Sequence, residues 1–362
     1  MRLIFDSHLD LAWSAVSFDR DLTRPLEEVR GAEGHMTDEP SRGRNVLTLP
    51  ELRRAGVGVC VGTLLARGGP EWRRPAEGSK RTGLDHADPS LAFAQAHAQL
   101  AWYRLMESRG LIRMIRTRGE LSAHWAAYQG DPERTPLGVI LSMEGADPVM
   151  EPEQLGYWWD QGLRAIGPAH YGRGQYAYGT GVDGPIGARG GALLREMNRF
   201  GVLLDVTHLS DTSFWEAMTI YEGPVLASHH NCRTLVPGDR QLSDEQIREV
   251  VKRGGVIGTA LDAWMLYPNW VRRVTSFDVV GLSAVVDHMD HVCQIAGNSR
   301  HAALGTDLDG GFGNEQTPRE LRRYSDLQQL GDLLLQRGYG EGDVDGIFHG
   351  NWLRVFGQAL PV

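Results

Sequence analysis

Residues 3–10 read Leu3-Ile4-Phe5-Asp6-Ser7-His8-Leu9-Asp10, a short apolar run that ends in ionisable side chains. The arrangement recurs down the chain. Apolar, β-branched-rich runs fall at residues 3–5, 57–65, 137–142, 163–168, 202–206, 224–228, 255–261 and 302–305. Continuous apolar runs, rather than strict alternation, mark parallel strands buried on both faces. Helix-capable segments separate most of them, at 90–108, 152–161, 190–199, 210–220, 243–253 and 276–296. Ser210 and Ser243 stand where N-caps belong, each followed by an acidic residue. Eight strands alternating with helices predict an α/β fold, a (β/α)8 TIM-type barrel formed by one domain over 1–362. A doubly wound open sheet is the alternative.

The ionisable residues gather at one end of these strands. The first run ends in Asp6-Ser7-His8-Leu9-Asp10, the third in Met143-Glu144-Gly145 and the fourth in Ala169-His170-Tyr171. The fifth ends in Asp205-Val206-Thr207-His208, the sixth in Ser228-His229-His230 and the eighth in Thr306-Asp307-Leu308-Asp309. In a parallel barrel those C-terminal ends share one rim, where barrel enzymes place their sites. His8 and Asp10 are two apart on an extended segment, so they project the same way and can hold one cation. His208 and His229, from neighbouring strands, can hold a second. Glu144 lies between the pairs in barrel order and has two oxygens with which to bridge. Nitrogen and carboxylate donors without cysteine favour Zn²⁺, with Mn²⁺, Co²⁺ or Fe²⁺ as other occupants. Two ions about 3.5–4 Å apart would hold a bridging hydroxide and polarise a carbonyl. Adjacent strand residues point oppositely, so only one of His229 and His230 faces the axis; His229, nearer the strand, is chosen, and Asp307 is chosen over Asp309 likewise. The remaining histidines (35, 86, 97, 124, 288, 291, 301 and 349) lie away from that rim and read as structural. Trp264, just after the seventh strand, could line a pocket.

Composition narrows the function classes. Of 362 residues, 37 are Lys or Arg and 46 are Asp or Glu, a net charge of −9. Such a balance is unsuited to neutralising nucleic-acid phosphates. Only Lys80 and Lys252 are lysines, which leaves little room for lysine-based catalysis or a phosphate-loop lysine. Cys60, Cys232 and Cys293 form no short-spaced pair, which argues against a cysteine zinc site or a disulfide framework. The first residues turn polar too soon for a secretory signal, and no apolar run reaches the length of a membrane span. A cytoplasmic protein with no membrane partner is expected. Residues 67–89, rich in Gly, Pro, Arg and Asp, read as a long surface loop.

Six motifs, in order and spacing, resemble the membrane (renal) dipeptidase family, peptidase family M19 of the amidohydrolase superfamily. They are Asp6-Ser7-His8-Leu9-Asp10, Ser142-Met143-Glu144-Gly145, Leu204-Asp205-Val206-Thr207-His208-Leu209-Ser210, Ala227-Ser228-His229, Arg240-Gln241-Leu242-Ser243-Asp244 and Gly305-Thr306-Asp307-Leu308-Asp309-Gly310. The resemblance implies a zinc-dependent dipeptidase, often a homodimer, with two Zn²⁺ per chain held by His8, Asp10, Glu144, His208 and His229. It also implies that Asp307 carries the proton, that His170 binds the scissile carbonyl oxygen and that Arg240 binds the terminal carboxylate of a small dipeptide. An Arg fork suits a carboxylate because it can bond bidentately. The segments after the second, fourth and seventh strands depart from familiar members, notably Gly62-Thr63-Leu64-Leu65 and Thr259-Ala260-Leu261-Asp262-Ala263-Trp264. Those segments shape the pocket, so another amide, such as an N-acyl amino acid, is an alternative substrate. A metal-binding barrel without catalysis is the remaining alternative. The intact Asp307 and Arg240 weigh against it.

Overall fold

In the computed structural model, which describes residues 1–69, 83–272 and 274–362, every expected strand forms. In chain order the strands are β1 (Ile4–Leu9), β2 (Val57–Leu65), β3 (Arg67–Gly68), β4 (Asp85–His86), β5 (Ile112–Met114), β6 (Leu137–Glu144), β7 (Leu163–Gly167), β8 (Leu203–Asp205), β9 (Val225–Leu226), β10 (Ile257–Thr259) and β11 (Ala302–Leu304). Parallel pairing runs β1-β2-β6-β7-β8-β9, and β10 pairs with β11. One bridge, Ala227 to Ile257, links the two groups.

The result is a curled parallel sheet with helices on its outside. The expected barrel is met in strand number, order and direction, but not by a closed ladder. Among the described residues, no backbone ladder joins β11 to β1. One backbone bond crosses that seam, from the Asp307 N–H to the His8 carbonyl at 3.3 Å, and side chains supply the other ties. Ser7 Oγ donates to the Ser228 and Leu304 carbonyls at 2.5 and 3.1 Å, and Asp6 accepts the Thr306 N–H at 3.0 Å. Gly258 and Gly305 permit this close approach, since a Cβ on either would fall 2.1 or 1.8 Å from the Ser228 carbonyl oxygen. β5 was absent from the sequence reading, because Ile-Arg-Met is too short to show a period. It pairs with the early residues of β6.

Two apolar layers hold the sheet. Inside the curl, Phe5, Val61, Ile140, Ala165, Leu203, Leu226 and Ala303 pack together, each from a different strand. The helix Asn351–Ala359 closes that layer, its Phe356 stacked on Phe5 at 5.3 Å. Burying each such aromatic contributes about 1.5–3 kcal/mol. Outside, the other strand faces meet the helices in a larger cluster that includes Leu64, Leu141, Ile166, Leu204 and Leu304.

The helices follow their caps. Ser210 and Ser243 accept N–H bonds from Ser213 and Gln246, as N-caps do. Two expected helices are shortened by a 3₁₀ turn at Pro152–Gln154 and another at Phe277–Val279. The three cysteines are free and buried. No helix among the described residues is long and apolar enough to cross a membrane. Part of the stretch expected as a surface loop is ordered at its ends, where β3 pairs with β4. Residues 70–82 of that stretch lie outside the described residues.

Candidate active site

Glu144, the last residue of β6, is the hub of the rim. Its Oε1 lies 3.2 Å from His229 Nε2 and 3.3 Å from His208 Nε2. Its Oε2 lies 3.5 Å from His8 Nε2. His8 Nε2 is in turn 3.6 Å from Asp10 Oδ1 and 3.8 Å from Asp307 Oδ1. His170 Nε2 stands 3.8 Å from Glu144 Oε1. Each of the five expected metal ligands, together with Asp307 and His170, therefore meets its neighbours across 3–4 Å. Among the described residues, three donor triplets have ligand atoms mutually within 4.8 Å: His8 with Glu144 and His229, Glu144 with His170 and His208, and His8 with Asp10 and Asp307.

The donor set fits divalent metal. His8 Nε2 is fully buried and has no hydrogen-bond partner, which is costly unless an ion fills the gap. The far nitrogens of the histidines are already engaged. His208 Nδ1 meets Thr180 Oγ1 at 2.9 Å, and His229 Nδ1 meets Ser228 Oγ at 2.9 Å. Such outer contacts fix the ring and leave Nε2 for the metal. Thr63 Oγ1 donates to Asp10 Oδ1 in the same manner.

Backbone geometry aims the side chains. His208 and Asp307 both adopt left-handed φ, 68° and 57°. Non-glycine residues rarely do so, and such strain gathers at functional sites. Here it turns each chain sharply off its strand end.

The electrostatics of these side chains on their own are unbalanced. Burial opposes charge on His8, but Glu144, Asp10 and Asp307 outweigh it and raise its pKa to about 10. Burial raises Asp10 to about 6, with Glu144 adding to the effect. Burial and the neighbouring Asp10 and Glu144 carboxylates push Asp307 well above the usual range. For Glu144 burial works upward, but His8 and the other imidazoles hold it well below its ordinary value. Burial lowers His170 to about 3 and takes His208 and His229 well below the imidazole norm. Three carboxylates crowded beside imidazoles that burial keeps neutral are what a bound cation would relieve.

The cluster floors a cavity of about 500 Å³. Arg240 lines it and is 1% exposed. Its Nη2 donates to the His229 carbonyl at 3.0 Å, while Nε and Nη1 are buried without partners. Trp264 lines the cavity as anticipated.

The sequence reading missed several lining residues. Asp262 accepts two bonds from Gln316 Nε2, at 2.8 and 3.0 Å, and burial raises it to about 7. It lies in the divergent segment after β10, which was the only sequence signal for it. Arg67 lines the cavity and is ion-paired with Asp85. Nothing in the composition of its stretch pointed there.

The rejected residues have structural partners. Asp309 accepts the Val46 and Leu47 N–H groups, and the His230 N–H donates to the Gly258 carbonyl. His288 Nδ1 accepts the Cys232 N–H, His124 bonds the Gly58 carbonyl, and His291 pairs with Asp244.

Comparison with known proteins identifies the family. The chain is 28% identical over 267 residues to an uncharacterised protein in the pqqA 5′ region of Klebsiella pneumoniae, covering 71% of this chain and 94% of that one. It is 30% identical over 183 residues to Dipeptidase 3 of Rattus norvegicus, covering 51% of this chain but 35% of the rat protein. Its fold matches a metallopeptidase from Rhodobacter sphaeroides, solved with a phosphinate mimic of the dipeptide L-Ala-D-Ala. There the TM-score is 0.77, with 22% identity and 99% coverage of both chains. The family model for membrane dipeptidases matches residues 2–361. The chain therefore belongs to the membrane dipeptidase family, peptidase family M19, and is a metallo-dipeptidase.

Proposed function

We propose that this protein hydrolyses dipeptides at a two-zinc centre held by His8, Asp10, Glu144, His208 and His229. The observation that carries the proposal is Glu144, whose two oxygens face His8 on one side and His208 with His229 on the other. That division matches a carboxylate shared between two ions. Ions bound there would supply Lewis acidity and a water acid enough to be a nucleophile near neutral pH. The curled sheet reads as a (β/α)8 barrel whose last seam is tied by one backbone bond and by side chains.

The remaining groups divide the work. Arg240 lines the cavity and binds the C-terminal carboxylate through its Nη1/Nη2 edge, since Nη1 has no protein partner and Nη2 keeps one hydrogen beyond its bond to the His229 carbonyl. His170 is neutral at physiological pH and donates a hydrogen bond to the scissile carbonyl oxygen, where charge develops. Asp307 takes the proton of the attacking water and passes it to the leaving amine. Holding the C-terminal carboxylate and the scissile carbonyl at two separate points fixes the substrate's orientation.

The ligand of the Rhodobacter protein supports a substrate class that includes L-Xaa-D-Xaa. A panel of L,L- and L,D-dipeptides with N-acyl amino acids, assayed by free amino acid release from zinc-loaded protein, tests the reading. Cleavage of dipeptides is expected. Cleavage of acyl amino acids alone would move the function to an acylase.

A further inference from the structure

We infer that Ser228 is a positioning residue that sets the tautomer of two metal-ligating histidines at once, on opposite halves of the centre. The inference rests on the metal site proposed above. Ser228 is 1% exposed. Its Oγ lies 2.9 Å from His229 Nδ1 and 3.3 Å from His8 Nδ1. The two rings stand 3.7 Å apart between centroids. A third neighbour, Thr207 Oγ1, lies 3.3 Å from the same oxygen and accepts the His229 N–H.

Proton counting leaves one arrangement. A hydroxyl has one hydrogen and two lone pairs. If Ser228 donated to either imidazole, that ring would carry its proton on Nε2 and could not ligate through it. With both rings ligating through Nε2, both carry Nδ1–H, and Ser228 Oγ accepts from both. Its own hydrogen then goes to Thr207 Oγ1. The backbone of Ser228 is fixed independently, since its N–H donates to Asp205 Oδ1 at 3.0 Å and its carbonyl accepts Ser7 Oγ. The oxygen therefore cannot follow one ring without leaving the other. His208 differs, because its Nδ1 has its own hydroxyl on Thr180. Thus one oxygen orients ligands on both sides of Glu144, and another orients only one.

Two measurements test this. In zinc-loaded wild-type protein, ¹⁵N spectra of labelled histidine should show His8 and His229 as Nδ1–H species. An Nε2–H signal from either would overturn the inference. In chelator competition with Zn²⁺, Ser228→Ala should lose about 10–100-fold affinity at both ion positions. Thr180→Val should lose affinity at one. Wild-type affinities at both positions in folded Ser228→Ala would sink the inference alone. A wild-type protein that takes up no divalent ion would overturn the metal reading, and the inference with it.

Discussion

Replacing Arg240 by methionine isolates what the guanidinium does. The methionine side chain keeps a similar apolar stem but has no donors. In the structure the residue lines the cavity, Nη2 holds the His229 carbonyl with one of its two hydrogens, and Nη1 has no protein partner. Two charge-assisted bonds to a substrate carboxylate are each worth about 1.5–3 kcal/mol. At the low end their loss totals about 3 kcal/mol, roughly a hundredfold in kcat/KM. The variant should still fold, because a buried cation without an acidic partner contributes little to stability and removing it is often neutral. The assay is a cycle. Wild type and Arg240→Met are each measured on a dipeptide and on its C-terminal amide, with metal content checked. Wild type should discriminate against the amide by roughly the same hundredfold, and the variant should scarcely discriminate. If the variant kept the wild-type preference for the free acid, Arg240 would not be the carboxylate's partner.

Further tests address the proton carrier and the metal. Asp307→Asn should keep its metal and lower kcat by about 10²–10⁴, with little change in KM; near-wild-type turnover would remove Asp307 from that role. Chelation should abolish activity and lower the unfolding midpoint, because an ion bound only by the folded chain stabilises it; an unchanged midpoint would count against a structural contribution from the metal. Metal uptake should release protons. His8 in the metal-free protein has its pKa raised to about 10 and carries a proton at neutral pH. That proton must leave before Nε2 can ligate, so affinity should climb about tenfold per pH unit between 6 and 9 for that group. A flat profile in buffered competition titrations would show that His8 is not a ligand.

Much of this site was legible because its chemistry sits where strands end. The histidines and carboxylates follow apolar runs directly, and parallel order alone brings such ends to one rim. His229 over His230 could be chosen by alternation, whereas Asp307 and Asp309, two apart, share a face and were separated by nearness to the strand; Asp309 accepts the Val46 N–H instead. What escaped was tertiary. Arg67 reaches the cavity through a two-residue pairing that no periodicity announces. Asp262 owes its place to Gln316, 54 residues away. The Ser228 and Thr180 hydroxyls matter only through which imidazole each meets, and spacing does not encode that. The missing ladder at the last seam was invisible for the same reason. Apolar runs specify strands, but closure there depends on one backbone bond and on side-chain bonds.

Asp6 and Asp205 carry that last point into a prediction. Asp6 lies within β1 and Asp205 ends β8, and each accepts two backbone N–H groups through Oδ1. Asp6 takes His8 at 3.1 Å and, across the open seam, Thr306 at 3.0 Å. Asp205 takes Thr207 and, across to the next strand end, Ser228, both at 3.0 Å. One device thus turns a strand and ties it to the neighbour that carries the next site residue, Asp307 or His229. The two differ at Oδ2. Asp6 Oδ2 accepts Thr306 Oγ1 at 2.6 Å and Tyr324 Oη at 2.5 Å, whereas the bonds of Asp205 run through Oδ1. An asparagine amide preserves Oδ1 but turns Oδ2 into a donor. Asp6→Asn therefore removes an acceptor from two buried hydroxyls and should cost about 1–3 kcal/mol or more, read as a lower urea midpoint at unchanged m. Asp205→Asn should cost clearly less. Equal losses would mean that the carboxylate charge, rather than the count of accepted bonds, holds these strand ends. The seam beside β1 would then be closed by electrostatics rather than by directed hydrogen bonds.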